Sequence, residues 1–144
     1  MIYINKQVDY GLQFLLALCQ LPTESPLSLR AFAEERNISF LFLQRIAGKL
    51  KQAGLVAATK GAKGGYFLAR PIEDIYLKEI VEAIEGAYGT VRCLKNDSNN
   101  HNDNNKKCPN QSSCASRRVF AMLQKDIIAS MSKYSLADMS GLIS

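Results

Sequence analysis

Residues 28–69 read SLRAFAEERNISFLFLQRIAGKLKQAGLVAATKGAKGGYFLA, and the spacing of their apolar side chains changes once along the stretch. Up to Gly54 the spacing is that of two short helices, which Ser28 and Ser39 are placed to cap and which only three residues separate. The buried face of the second helix is predicted to be Leu43, Ile46, Ala47 and Leu50. Residues 55–59 and 66–69 then have the composition of strands around a basic, glycine-rich turn. Two helices joined by a short turn and followed by a β-hairpin predict a winged helix-turn-helix.

The flanking segments extend this prediction. A helix over Lys6–Gln20, capped by Asn5, precedes the stretch, and a fourth helix that ends at Gly86 follows it. Residues 96–107 are almost wholly polar and predict a loop, after which a long amphipathic helix runs from Ala115 to about Ser132. So late and isolated a helix needs an apolar surface to cover. We expect that surface to be a second copy of the chain rather than the helix's own domain. We therefore predict a mostly α-helical fold, a winged helix-turn-helix with a two-stranded wing and a long C-terminal dimerisation helix.

The net charge of +5 lies in one half of the chain. Residues 1–70 carry nine Lys or Arg against four Asp or Glu, an excess of five, whereas residues 71–144 carry nine of each. A basic half indicates an anionic partner, and nucleic acid rather than a membrane because no basic amphipathic stripe is present. The chain has no apolar run of the roughly 18 residues that span a bilayer and no signal-peptide pattern, so we expect a cytoplasmic protein. We expect no enzyme, since neither a P-loop nor a Ser/His/Asp or Cys/His set is present.

The second helix of a helix-turn-helix enters the major groove of DNA. Opposite its buried face, this helix carries Gln44, Arg45 and Lys49, with Ser39 at its start. Gln and Arg have the bidentate groups that read adenine and guanine, and Lys suits phosphate. The wing adds two lysines beside glycines that let the backbone approach a phosphate or a minor groove. The predicted DNA interface is Ser39, Gln44, Arg45, Lys49, Lys60, Lys63, Gly64, Gly65 and Tyr66.

The four cysteines divide into two groups. Cys19 lies on the apolar face of the first helix and needs no role beyond core packing. Cys93, Cys108 and Cys114 fall in a polar segment with the spacing C-x14-C-x5-C, near several Lys and Arg. Thiols in such a segment of a cytosolic protein indicate ligands of a soft metal centre, although the spacing alone does not separate zinc from an iron–sulfur cluster. The chain thus divides into a DNA-binding domain (1–86), a cysteine-bearing loop (87–114) and a dimerisation helix with a tail (115–144).

Nearly the whole chain resembles the family of winged-helix iron–sulfur transcription regulators that includes IscR and NsrR. The resemblance rests on VDYGL at 8–12, LKQAGLV at 50–56, GAKGGY at 61–66, IVEAIEG at 80–86 and the three late cysteines. It implies a homodimer that acts as a repressor on a palindromic operator in double-stranded DNA. It also implies that the cysteine loop holds an iron–sulfur cluster, 4Fe–4S in preference to 2Fe–2S. The state of that cluster would control DNA binding in response to nitric oxide, redox state or cluster supply.

The fourth ligand of such a cluster differs between branches of the family. IscR-like members have a His three residues after the last cysteine, where this chain has Arg117. NsrR-like members use an Asp early in helix one of the other subunit, and Asp9 matches it, which favours the NsrR-like branch; His101, the only histidine, is a weaker candidate. The 14 residues between Cys93 and Cys108 exceed the family's spacing of about half a dozen, an insertion that costs little loop-closure entropy. The alternative is a winged-helix regulator without a cluster, controlled by zinc, thiol oxidation or a protein partner.

Overall fold

The predicted helices and hairpin form within a larger helical domain. The computed structural model describes residues 4–22, 25–90, 94, 109–110 and 113–143. In chain order the elements are α1 (Lys6–Gln20), α2 (Leu29–Arg36), α3 (Phe40–Gln52), β1 (Val56–Thr59), β2 (Gly65–Leu68), a 3-10 turn (Ile72–Asp74), α4 (Leu77–Glu85), α5 (Ala115–Met131) and α6 (Leu136–Gly141). The predicted fold class, mostly helical with a two-stranded antiparallel wing, is confirmed.

Polar side chains start the first three helices. Asn5, Ser28 and Ser39 each accept a hydrogen bond from a backbone N–H two or three residues further on, at 2.9–3.4 Å. These bonds satisfy donors that a helix start leaves free, so the predicted cap residues are confirmed. Between α2 and α3 the chain turns at Asn37, whose φ of 53° lies in the left-handed region that asparagine tolerates. The helix-turn-helix is therefore built by its own local sequence.

The apolar core forms where α1, α3 and α4 pack together. Helices α1 and α4 approach closely at Gly11, where a Cβ atom would lie 2.5 Å from Ile84 Cδ1. Fully buried side chains from along the chain fill the centre: Phe14, Leu15, Leu43, Ile46, Leu50, Leu55, Ile75, Ile80 and Leu136. Because α3 buries one face in this core, its opposite face is left in solvent.

Helix α6 also belongs to the core. Leu136 is fully buried, and its backbone N–H donates to Ile75 O at 2.6 Å. Met139 is buried as well, and α6 packs against α1 and the 3-10 turn. The segment expected from the sequence to be a tail thus contains a short helix. Six residues with two buried apolar positions are too few for periodicity to reveal it.

The wing is anchored to the body of the domain through β2. Strands β1 and β2 pair antiparallel, from Val56 opposite Leu68 to Thr59 opposite Gly65. On its other edge β2 pairs with the segment before α2, where Leu27 and Tyr66 exchange two backbone hydrogen bonds of 2.8 and 2.9 Å. This second pairing holds the hairpin against the helix-turn-helix.

Helix α5 contacts the core through Met131 at its end, but none of its residues is fully buried. Its inner side is held by Thr90, whose backbone N–H donates to Gln124 Oε1 and whose hydroxyl donates to Phe120 O, both at 3.1 Å. On its outer side Val119 is 62% exposed and Met122 is 70% exposed. The described part of this chain leaves that apolar side uncovered. Neither α5 nor any other helix in the described residues is long and apolar enough to cross a membrane.

Candidate nucleic-acid interface and cysteine segment

The outward face of α3, defined here as Leu41, Gln44, Arg45 and Gly48, carries the two side chains predicted to read bases. Gln44 and Arg45 are exposed, opposite the buried face. Leu41 is 66% exposed, and nothing in the described chain lies within 4 Å of the place where a Cβ atom on Gly48 would be. Spacings of three, four and seven residues put all four on one side of the helix. Leu41 and Gly48 were not predicted, because a single exposed leucine and a helical glycine carry no local signal of function.

Lys49 bonds to its own chain. Its Nζ donates to Ile84 O at 3.0 Å and to Gln7 Oε1 at 3.2 Å. Ile84 lies in the last turn of α4, where a cation stabilises carbonyl groups that lack a helical partner. The phosphate contact predicted for Lys49 therefore competes with a role in joining α1, α3 and α4. Local sequence could not reveal this role, since the two residues are 35 positions apart.

Arg30, in addition to Arg45 and Lys49, places a positive charge beside α3, at its start. The guanidinium of Arg30, in α2, lies over the ring of Phe40 at 4.4 Å, a cation–π geometry that holds the charge in place. Ser39 caps α3 through its oxygen, which leaves its proton able to donate to a phosphate. Arg30 was missed from the sequence because the stacking forms across the helix-turn-helix.

The wing tip presents Lys60 and Lys63, both exposed. The tip is closed by a hydrogen bond of 2.9 Å from Gly64 N to Gly61 O, and Gly61 has a φ of +113° that side chains disfavour. The ion pairs within the described residues join Arg70 to Glu79 and Lys78 to Glu82. Both wing lysines therefore remain available to an anionic partner.

The other predicted wing residues have contacts inside the chain. Gly64 and Gly65 lie too close to the carbonyl oxygens of Thr59 and Leu27 to carry a Cβ atom. The ring of Tyr66 packs edge-on against Phe14, with ring centres 5.8 Å apart. Folding alone thus requires the two glycines, and a contact of these three residues with DNA stays a prediction.

An ion pair ties the end of the wing to the start of α4. Arg70 Nη1 lies 3.0 Å from Glu79 Oε1, and Glu79 Oε2 accepts a hydrogen bond from Tyr76 N at 3.2 Å. Partial burial raises the pKa of Glu79, but the bonds from Arg70 and Tyr76 outweigh it, and the pKa is lowered overall. A lowered folded-state pKa means that this pair stabilises the fold at neutral pH and that its contribution is lost as the pH falls through that pKa.

The structure describes two of the predicted metal ligands, Cys114 and Asp9; Cys93, Cys108 and also His101 lie outside the described residues. Cys114 is a half-buried free thiol directly before α5. Asp9 is exposed in the first turn of α1 and accepts a hydrogen bond from Gln13 Nε2 at 3.0 Å. Over the ranges that the structure describes, no three His, Cys, Asp or Glu side chains come together as a metal site.

A positive group lies close to Cys114 in the chain. One turn after Cys114, Arg117 Nε is buried and has no hydrogen-bond partner in the described structure, so a positive group there is left for a partner that accepts hydrogen bonds.

Burial raises the pKa of the Cys19 thiol to about 11, against a smaller lowering by a backbone hydrogen bond. Cys19 is thus protonated at neutral pH and unsuited to bind a metal as thiolate. Its surroundings agree with the core role predicted for it.

The helix-turn-helix, its exposed Gln44 and Arg45, and the basic wing define a winged-helix DNA-binding protein. The family model of Rrf2, described as an iron-dependent transcriptional regulator, matches residues 4–141. The chain belongs to the Rrf2 family of DNA-binding transcriptional regulators.

Similar proteins cover most of the chain. Protein rrf2 of Nitratidesulfovibrio vulgaris is 30% identical over 130 residues, which are 90% of this chain and 81% of that protein. IscR of Cereibacter sphaeroides is 44% identical over 70 residues, 49% of this chain and 45% of its own. Among solved structures, T. potens IscR has a TM-score of 0.74 at 26% identity and covers 99% of this chain and 89% of its own. CymR, the global cysteine regulator of B. subtilis, has a TM-score of 0.73 at 23% identity, and the match covers 99% of this chain and 98% of that chain.

The resemblance to the IscR-containing family is confirmed. The relatives named are regulators rather than enzymes. The NsrR-like branch stays a prediction.

Proposed function

We propose that this regulator is a cytoplasmic homodimer that represses transcription by binding a palindromic DNA operator. The observation that carries the proposal is the outward face of α3, which exposes Gln44 and Arg45 next to the cations of the helix-turn-helix and the wing. In this arrangement Gln44 and Arg45 read base edges in the major groove, and Ser39 contacts a phosphate. Lys49 contacts a second phosphate in competition with its bonds to Ile84 O and Gln7. Lys60 and Lys63 contact the phosphate backbone or the minor groove of the DNA beside α3. Gly64, Gly65 and Tyr66 shape the wing that carries these lysines.

DNA binding should weaken steeply with salt. Each phosphate contact made by a Lys or Arg releases condensed counterions, so we expect a slope of about −5 to −8 in log K against log salt for the dimer. An operator selected from random duplexes, titrated by fluorescence anisotropy at several KCl concentrations, measures it. Lys63→Ala removes one phosphate contact from each subunit and should make the slope of the dimer about two units shallower. Lys78→Ala, which removes a lysine of α4 paired with Glu82, serves as the matched control. Binding that does not change with salt would contradict the proposed interface.

We further propose that Cys93, Cys108 and Cys114 hold an iron–sulfur cluster, with Asp9 of the partner subunit as the fourth ligand, and 4Fe–4S in preference to 2Fe–2S. Four features support it: the iron dependence of the family, the free thiol of Cys114, the exposed carboxylate of Asp9, and Arg117 Nε, which has no hydrogen-bond partner among the described residues. When bound, the cluster would supply a centre that reacts with nitric oxide or oxidants. Asp9 lies in α1, which packs on α3, so a bond at Asp9 can bias where the outward face of α3 lies.

Protein purified without oxygen should be brown, with broad absorption at about 400 nm. Cys114→Ala should lose this absorption, whereas Cys19→Ala, the matched removal of a thiol outside the segment, should keep it. Asp9→Ala should change the spectrum and the response of DNA binding to nitric oxide, because a carboxylate is a hard, labile ligand on a soft centre. If Asp9→Ala altered neither, Asp9 would not be a ligand. A colourless protein with one zinc per chain would instead support control by zinc, and one without metal would support thiol oxidation or a protein partner.

A further inference from the structure

Leu41 is an apolar side chain that the fold leaves in solvent at the start of α3. The neighbouring apolar residues are all covered: Phe40 lies under Arg30, Phe42 packs edge-on against Tyr10, and Leu43 is fully buried. Leu41 remains 66% exposed. Among the described residues of α1, α2, α3 and the wing, it is the one exposed large hydrophobic side chain; the others lie before α1, at Ile4, or from Tyr76 onwards.

The surroundings of Leu41 indicate what approaches it. Arg45 follows one turn later on the same face, and Arg30 stacks on the adjacent Phe40. Two guanidinium groups around an apolar side chain suit a polyanion rather than an apolar protein surface.

Gly48, two turns after Leu41 on the outward face, would let DNA approach α3 closely. Glycine weakens a helix interior, and here no neighbour in the described chain requires it, because the space around its missing Cβ is open. A bare backbone at this position lets α3 lie deep in a groove. Leu41 would then reach the edges of the bases rather than stop at the phosphates.

In the major groove the apolar group on a base edge is the C5 methyl of thymine. We propose that Leu41 is a specificity-determining residue that packs on the C5 methyl group of one thymine in each half of the operator. This inference rests on the proposed binding of α3 in the major groove. Leu41 adds an apolar contact to the hydrogen bonds of Gln44 and Arg45, and so distinguishes thymine from cytosine and from uracil.

Deoxyuridine tests this contact because it differs from thymine by that methyl group alone. An operator is first selected from random duplexes with the full-length wild-type protein, and each thymine is then replaced singly by deoxyuridine. At one position per half-site we expect wild-type affinity to fall about 4-fold, the equivalent of one buried methyl group, and about 15-fold when both half-sites are changed.

Leu41→Ala should bind the thymine and deoxyuridine operators equally, with an unchanged melting temperature because the side chain is exposed. Arg45→Ala, a variant on the same face, should bind both more weakly but keep the preference for thymine. The inference is overturned if no deoxyuridine substitution weakens wild-type binding, or if Leu41→Ala keeps the preference. If no operator is enriched, the proposed function and this inference fail together. If an operator is enriched but deoxyuridine does not weaken its binding, only this inference fails.

Discussion

Replacing Val119 and Leu123 together with lysine should convert the protein into monomers and weaken its binding to the operator by about 100-fold or more. Both side chains are exposed on the outer side of α5, 62% and 39% respectively. In a dimer joined through α5, as predicted from the sequence, both would be buried against the partner's α5, where an unpaired ammonium group is strongly unfavourable. A monomer reaches only one half-site at a time and loses the gain of about 10²- to 10⁴-fold that two linked contacts provide. Sedimentation velocity measures the mass, and anisotropy the affinity.

The same variant should leave the fold of each chain intact, since no residue of α5 is buried and its inner side is held through Thr90. An unchanged circular dichroism spectrum checks this. Lys125→Glu is the matched control, because it changes the charge of an exposed residue that lies about 120–160° around α5 from Val119 and Leu123; it should stay dimeric. A double-lysine variant that sediments as a dimer would place the dimer interface elsewhere.

Local sequence was sufficient for the elements that have long periodic patterns and defined ends. The four apolar positions of α3 and the capping serines of α2 and α3 make the helix-turn-helix predictable without knowledge of distant contacts. Helix α6 was not predicted, because Leu136 is defined by its contact with Ile75, some 60 positions earlier, rather than by a repeat. What could not be predicted in the fold is therefore what depends on contacts between distant parts of the chain.

The same limit applies to the candidate site. Gln44 and Arg45 were predictable because they lie opposite a buried stripe, which periodicity alone reveals. The bond of Lys49 to Ile84 and the stacking of Arg30 on Phe40 depend on how helices pack, so sequence could not distinguish a phosphate-binding lysine from one that caps a helix. The wing glycines show the converse: the motif was visible, but only the structure shows that the fold itself requires it.

Gly65→Ala should destabilise the protein by about 1–3 kcal/mol, a cost typical of forced overpacking. The new Cβ would clash with Leu27 O and lie 2.6 Å from Leu27 C. These are backbone atoms that cannot move aside as a flexible side chain does, so the two hydrogen bonds between Leu27 and Tyr66 must lengthen or break. Urea unfolding followed by circular dichroism measures the loss. Because this pairing anchors the wing, operator binding should also weaken at temperatures where the variant is still folded.

Gly48→Ala is the matched control for this prediction, since it adds the same methyl group to a glycine with open space around it. Alanine is the better helix former, so this variant should gain about 0.5–1 kcal/mol of stability. The lower flexibility of alanine in the unfolded chain favours both variants, so opposite signs would assign the loss at Gly65 to the clash with Leu27. If Gly65→Ala were as stable as the wild type, the wing would not be held against Leu27, and its lysines would lack the fixed position beside α3 that the proposed interface needs.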